Sequence, residues 1–333
     1  MARAGGRDQA EIAGGAEGAR TIDYYGYSDC IVLENATTRV VLGHHAGGRV
    51  LEYALHGENA LYLAPDQAGW EYREGEPAIH ISGGRCDIGP EHVIPRHPTL
   101  WLGAWTAEIT GTRRARMVSQ DDPATGTRLT REFELDAATS RLRFTQTQTN
   151  VSSGITEWCH WSRTFARHGG IGVVPLSERP VSRFPKGYVM YGSAGPGIGH
   201  AIGFRPEDPQ ITRRSEGGRD FLVIRGVPQQ AKLGFDSYAG WFAYLEPHGV
   251  AFVKRFTSDP DRVYNEVAAI TSCIYYPKER FVELEPIGPR ETLAPGESAS
   301  FTEEWELALF PFPPAGEEPN LAALTALVER PAG

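Results

Sequence analysis

The 333-residue chain predicts an all-β protein, its antiparallel strands arranged in two packed sheets and followed by one short C-terminal helix. Three observations carry that expectation. From Asp29 onward, short apolar or alternating runs recur between turn signals, the spacing of antiparallel strands rather than of βαβ units. Turn formers are plentiful, with 38 Gly and 24 Pro, which favours many short elements over a few long helices. Helical periodicity stands out at one place, where Asn320 can cap a segment carrying Leu321, Leu324, Leu327 and Val328 on one stripe.

Taken in order, the first predicted strands are 30–34, 38–42, 49–55 and 61–63, separated by turns at Glu34-Asn35, Gly47-Gly48 and His56-Gly57. The middle of the chain predicts strands at 106–112, 128–135, 142–149 and 172–175. Within 142–149 the even positions are Leu142, Phe144, Gln146 and Gln148 and the odd ones Arg143, Thr145, Thr147 and Thr149, as suits a strand whose faces meet different surroundings. The last group is 221–225, 240–245, 249–256, 281–286 and 300–310, with Pro286 expected to close its strand. No linker divides the chain. The expected organisation is a flexible N-terminal segment 1–22, a single β domain 23–314, and a helix and tail at 315–333.

Composition narrows the function. The chain carries 33 basic and 42 acidic residues, a net charge of −9, and no basic run long enough to follow a phosphate backbone, so nucleic acid is not an expected partner. Cys30, Cys86, Cys159 and Cys273 lack the paired spacing of zinc ribbons and redox motifs. No stretch of about 18 apolar residues occurs and the first twenty residues hold no apolar core, so no membrane association is expected and the default location is cytoplasmic. No cofactor or metal is expected either, since His80, His92 and His97 do not follow a metal-ligand spacing. The sequence leaves the oligomeric state open.

Three segments hold candidate chemistry. The first, from His80 to His92, combines Gly83-Gly84 and Gly89-Pro90, which permit close backbone approach, with Arg85, Asp87 and Glu91. In the second, Thr156 to Phe165, an extended chain places Trp158, His160, Ser162 and Thr164 on one face and Glu157, Cys159, Trp161, Arg163 and Phe165 on the other. Aromatic faces cover sugar C–H groups while His and Arg bind hydroxyls. The third puts Glu283 and Glu285 on one face of a strand, where neighbouring carboxylates repel and one pKa rises, a condition for general acid–base work. Glu266, in Tyr264-Asn265-Glu266, is a further carboxylate.

These segments, in this order, resemble the galactose mutarotase-like (aldose epimerase) superfamily. The likeness lies in Gly48-Arg49-Val50-Leu51-Glu52-Tyr53, Gly83-Gly84-Arg85 through Pro90-Glu91, His160 with Phe165, Phe252-Val253-Lys254-Arg255-Phe256, Asn265-Glu266 and Glu283-Leu284-Glu285-Pro286, and is nearest to an uncharacterised branch. The resemblance implies a large twisted β-sandwich that binds a carbohydrate on its concave face. It further implies Glu285 as the base that takes the anomeric proton, with Glu283 as the alternate base. His160 would be the acid at the ring oxygen, and Arg85, His80, Glu91, Trp161, Arg163, Lys254 and Glu266 would bind substrate. In the family an Asn directly precedes the catalytic His; here Cys159 precedes His160. Three functions are compatible with this scaffold: epimerisation or anomerisation of a small-molecule sugar, cleavage of glycosides or uronic-acid polymers, and non-catalytic binding of a sugar or oligosaccharide through Arg85 and a Trp.

Overall fold

The computed structural model describes residues 16–193, 200–277 and 280–330. Two antiparallel sheets face each other. The first runs from edge to edge as β1 (Ala19–Tyr24), β2 (Tyr27–Glu34), β3 (Thr38–Gly43), β4 (Arg49–Leu55), β6 (Gly84–Gly89), β11 (Thr156–Arg167), β21 (Phe281–Leu293), β20 (Ser272–Tyr275), β17 (Lys232–Phe235), β13 (Val189–Ser193) and β14 (His200–Gly203), with the two-residue β5 (Glu58–Asn59) added on β4. The second runs β15 (Ile211–Glu216), β16 (Arg219–Ile224), β12 (Ile171–Pro175), β18 (Trp241–Glu246), β19 (Val250–Phe256), β22 (Ser298–Leu309), β10 (Leu142–Asn150), β9 (Thr127–Leu135), β8 (Arg114–Val118) and β7 (Thr106–Gly111). A five-residue helix, α1 (Pro98–Leu102), and the C-terminal α2 (Leu321–Val328) complete the fold.

The main core lies between the sheets. It joins inward residues of the first sheet, such as Ile31, Val40, Tyr53, Ile88 and Leu284, to Phe133, Phe144, Tyr244, Phe252 and Trp305 of the second. Strand alternation generates this layer, as in β9, whose residues are buried at every second position. A separate apolar cluster covers the outside of the second sheet, where Val173, Phe221, Trp241 and Val253 meet Leu321, Leu324 and Leu327 of α2. The cap anticipated at Asn320 forms, its side chain accepting a hydrogen bond from Ala323 N at 2.9 Å. On the outside of the first sheet, Cys159, Trp161, Tyr191, Ile270, Cys273 and Ile287 make a third cluster.

The sheets correct several expected boundaries. The sandwich starts at β1, inside the segment 1–22 expected to be flexible, because Ala19 to Ile22 pair with Leu33 to Cys30; residues 1–15 lie outside the described part. Residues 61–63 form a single bridge, Leu61 to Ala166, rather than a strand. Pro286 does not end its strand, since β21 continues to Leu293. The register with β11 shifts by one residue between Cys159 and Trp161, opposite Gly288-Pro289, and this irregularity accommodates a residue without an N–H. Gly83 and Gly84 serve packing rather than ligand approach. Gly83 has φ +101° and a side chain there would meet Val50 O at 2.7 Å, while one at Gly84 would meet the Trp305 ring at 2.8 Å.

The C-terminal helix is thus part of the packed structure, and Leu324 is its fully buried residue. Leu324→Ala should cost about 2–5 kcal/mol in chemical denaturation. Leu309→Ala, at a position 71% exposed, should stay within about 0.5 kcal/mol of the parent.

Candidate functional site

Strand β11 divides the polar residues of the protein into two groups. Its neighbour β6 pairs His160 with Ile88, Ser162 with Cys86 and Thr164 with Gly84, a row that points between the sheets. The alternate row pairs Trp161 with Asp87 and Arg163 with Arg85 on β6, and Phe165 with Glu283 on β21, and points outward. The two faces read from the sequence are therefore present, but they belong to different environments.

The inward row joins a buried charge network. Lys254 Nζ donates to Ser162 Oγ at 2.8 Å, Thr164 Oγ1 at 2.7 Å and Leu284 O at 3.1 Å, and lies 3.0 Å from Glu303 Oε2. Glu303 also accepts from Trp305 Nε1 at 2.8 Å and from His160 Nε2 at 2.8 Å. Gln146 Nε2 donates to His160 Nδ1 at 3.1 Å, which places the imidazole proton on Nε2. Burial would raise the Glu303 pKa, but Lys254 and the bonds from His160 and Trp305 outweigh it and hold the carboxyl at about 2. Burial lowers the pKa of both His160 and Lys254. A void of about 10 Å³ beside His160, Gln146 and Phe301 has room for little more than a water molecule. His160 and Lys254, expected at the sugar site, are core residues that link the two sheets.

The outward row builds a different constellation. Arg163 Nε donates to Glu283 Oε2 at 3.2 Å and sits 3.8 Å from Glu285 Oε1, with its guanidinium 4.5 Å from the Trp161 ring centre. Trp161 Nε1 donates to Glu285 Oε2 at 3.1 Å. Burial raises the Glu283 pKa, yet Arg163 overcomes it and keeps Glu283 ionised; burial and the Glu283 charge together push Glu285 up. Glu283 Oε1 and Glu285 Oε1 accept from no other group among the described residues, and the two carboxyls are left to share a proton with each other. Arg85, 2% exposed, lies 4.6 Å from the Trp101 ring centre and 5.5 Å from that of Phe165, and none of its three guanidinium nitrogens finds a hydrogen-bond partner among the described residues. Burial, reinforced by Arg163, lowers its pKa to about 9.

Above this layer opens a cleft of about 460 Å³ lined by His80, Glu91, Arg163, Tyr191, Lys232 and Tyr275. Lys232 donates to Glu91, whose ionised form it favours against the effect of burial. Glu266 lies beneath the Glu91 loop, where its two oxygens accept from Glu91 N at 2.8 Å and Val267 N at 3.0 Å. It pins the rim rather than facing a ligand. Of the sequence-predicted residues, the structure brings together Arg85, Glu91, Trp161, Arg163, Glu283 and Glu285 on this face, with His80 at the rim. Lys232, Tyr191, Tyr275 and Trp101 were not anticipated, nor was the pairing of Asp87 with His97. Alternation on the neighbouring strands could have flagged Lys232 and Tyr275, but only the pairing of β17 with β20 and of β20 with β21 shows that they share the outer face of β21.

Among the described residues, two groups have ligand atoms close enough for a metal: Cys86, His160 and Glu303, and Glu91, His92 and Glu266. In the first, Lys254 already supplies positive charge against Glu303, and His160 Nδ1 is engaged by Gln146. In the second, Glu91 is paired with Lys232 and Glu266 accepts two backbone N–H groups. Neither donor set presents an uncommitted cage. All four cysteines are buried and free, and no helix among the described residues is long and apolar enough to cross a membrane.

Comparison with solved structures places this architecture. A galactose mutarotase-like protein from Lactobacillus casei ATCC 334 superposes with a TM-score of 0.56, at 11% identity, over 84% of this chain and 100% of the other. The fold is galactose mutarotase-like. A second protein so described, from Clostridium acetobutylicum, matches with a TM-score of 0.54 at 11% identity over 88% of this chain and 98% of its own. A candidate aldose 1-epimerase from Escherichia coli K12 gives 0.54 at 13% identity, covering 84% and 98%. No protein-family model matches the sequence, and no curated protein matches it. In this galactose mutarotase-like sandwich the acid-bearing strand β21 is central to the first sheet, between β11 and β20.

The Asp87–His97 pair makes the outer face pH-dependent. His97 Nε2 meets Asp87 Oδ1 at 2.9 Å while Nδ1 meets Pro95 O at 2.7 Å, so both nitrogens face acceptors and the imidazolium is favoured. Burial opposes the charge, but Asp87 prevails and raises His97 from 6.5 to about 9. The stabilisation is complete below the unfolded value and is lost as pH rises through about 9. Asp87, held near 2 despite burial, retains its share until pH falls toward that value. Wild-type protein should lose about 3 kcal/mol between pH 6 and pH 10 that His97→Gln does not lose, as read from denaturation midpoints across that range.

Proposed function

We propose that the protein interconverts anomers or epimers of a free sugar or sugar derivative by acid–base chemistry centred on Glu285. The observation that carries this reading is the Glu283–Glu285 pair, clamped by Arg163 and Trp161 below the cleft of a mutarotase-like sandwich. Two carboxylates so close share a proton economically, and the raised affinity of Glu285 suits it to exchange one with a hydroxyl near neutral pH. Glu283, kept ionised by Arg163, is the group that tunes it.

In this scheme Glu285 removes the proton of the anomeric hydroxyl, the ring C–O bond breaks as the carbonyl forms, and the ring oxygen takes up a proton. Rotation about C1–C2 and the reverse steps give the other anomer. His160 does not supply the second proton, because it faces the opposite side of β11 from Glu285 and is bonded to Glu303. Among the groups lining the cleft, His80 is the imidazole available for that role, its pKa lowered by burial and by the Arg163 and Arg85 charges. Arg163, in the cleft wall, holds the hydroxyls next to the reacting carbon, with the buried Arg85 behind it on β6.

Glu285→Gln should lower kcat/KM for anomerisation by about 10²–10⁴-fold with the melting temperature nearly retained, whereas His160→Ala should act mainly by destabilising the core. NMR exchange or polarimetry on a panel of aldoses measures both. A wild-type enzyme that leaves every sugar at the buffer rate would remove the epimerase reading. New reducing ends from oligosaccharides would identify cleavage at the same face instead.

A further inference from the structure

We infer that the sugar taken by this cleft carries an anionic group, a carboxylate or a phosphate, received by Arg163 and Lys232. The inference rests on the reading of the cleft as a sugar site and adds the substrate class. Its first support is that the cleft wall contains two cations, Arg163 and Lys232, with a third, Arg85, directly opposite Arg163 on the adjacent strand. Like charges facing each other across a strand pair are unfavourable unless something of opposite sign lies between or above them. Glu91 pairs with Lys232, and Glu283 and Glu285 answer Arg163, but none of the three is hydrogen-bonded to Arg85, whose three nitrogens have no acceptor among the described residues.

The second support is access. Glu283 and Glu285 are 0% exposed, whereas Arg163, which bonds to one and approaches the other, lines the cleft. A substrate hydroxyl reaches Glu285 only when the Arg163 side chain shifts. For a neutral sugar that shift leaves a buried carboxylate without its cation, a costly exchange. An anionic substituent changes the balance, since a guanidinium can take a carboxylate or phosphate in a paired, charge-assisted bond while it turns from Glu285. Lys232 stands 5.0 Å from the same Trp161 ring centre that Arg163 covers, so both cations can meet one anionic group. The overall charge of −9 disfavours long acidic polymers, which limits the expected ligand to a small sugar acid or sugar phosphate.

Calorimetric titration of the wild-type protein with a neutral hexose, the matching hexuronate and the matching hexose 6-phosphate tests this directly. At low salt at least one charged form should bind about tenfold or more tightly than the neutral parent, and that advantage should shrink to within about threefold in Lys232→Met or Arg163→Lys. The hexuronate arm reports a carboxylate site and the phosphate arm a phosphoryl site. Equal affinity for all three sugars in the wild type, or a charged-form advantage untouched in both variants, overturns the inference. A charged-form preference without anomerisation sustains it while removing the epimerase reading. Anomerisation of the neutral hexose without any charged-form preference does the reverse.

Discussion

Lys254 and Glu303 are both fully buried, 3.0 Å apart, in the middle of the sandwich. Removing two charges from water is costly, and here the cost is offset only because every neighbouring element contributes a bond. Lys254 comes from β19 and Glu303 from β22 of the second sheet; Ser162, Thr164 and His160 come from β11 and the Leu284 carbonyl from β21 of the first. The pair therefore sets how the two sheets lie over each other. It also dictates which edge of β11 faces inward.

The outer face follows from that constraint. Side chains alternate along a strand, so a slip of one residue would turn Arg163 and Trp161 into the core and His160 outward. With the polar row held by Lys254, Trp161 and Arg163 are obliged to face Glu283 and Glu285, and β6 brings Arg85 alongside. The two charge clusters thus sit on opposite sides of one strand: the inner one is bonded throughout, while the outer one leaves the Arg85 nitrogens without an acceptor among the described residues. Complete satisfaction suits a structural tie. Incomplete satisfaction at the floor of a cleft suits a place where a ligand supplies the missing partners.

Much of the fold was legible because its signals are local. The Asn320 cap with its Leu stripe, the alternation of 142–149 and the bounds of 49–55 needed no distant contact to be read. The site was legible only in part. Arg85, Trp161, Arg163, Glu283 and Glu285, singled out from the sequence, share one face in the structure, and the two faces of 156–165 were sorted correctly. His160 lies away from the cleft because here the usual rule is inverted: His, Ser and Thr point into the core and Trp and Arg point out. Only the distant residues Lys254 and Glu303 reverse that preference. Strands such as β6, fully buried, and β15, mostly exposed, show no alternation and were missed for the same reason that periodicity weakens when both faces see one environment.

By itself, the sequence determined the all-β class, the order of most strands, the terminal helix and the pairing of two carboxylates on one strand face, since each depends on residues within a few positions of one another. The tertiary structure decided which face of β11 looks into the core, and with it the separation of His160 from Glu285, the company of Lys232 at the cleft and the buried pairing of Asp87 with His97. Those outcomes depend on strands paired across long separations, with β11 next to β21 and β17 beyond β20. The sign of an environment, buried tie or open site, is a property of that pairing and of the buried ion pair beneath it.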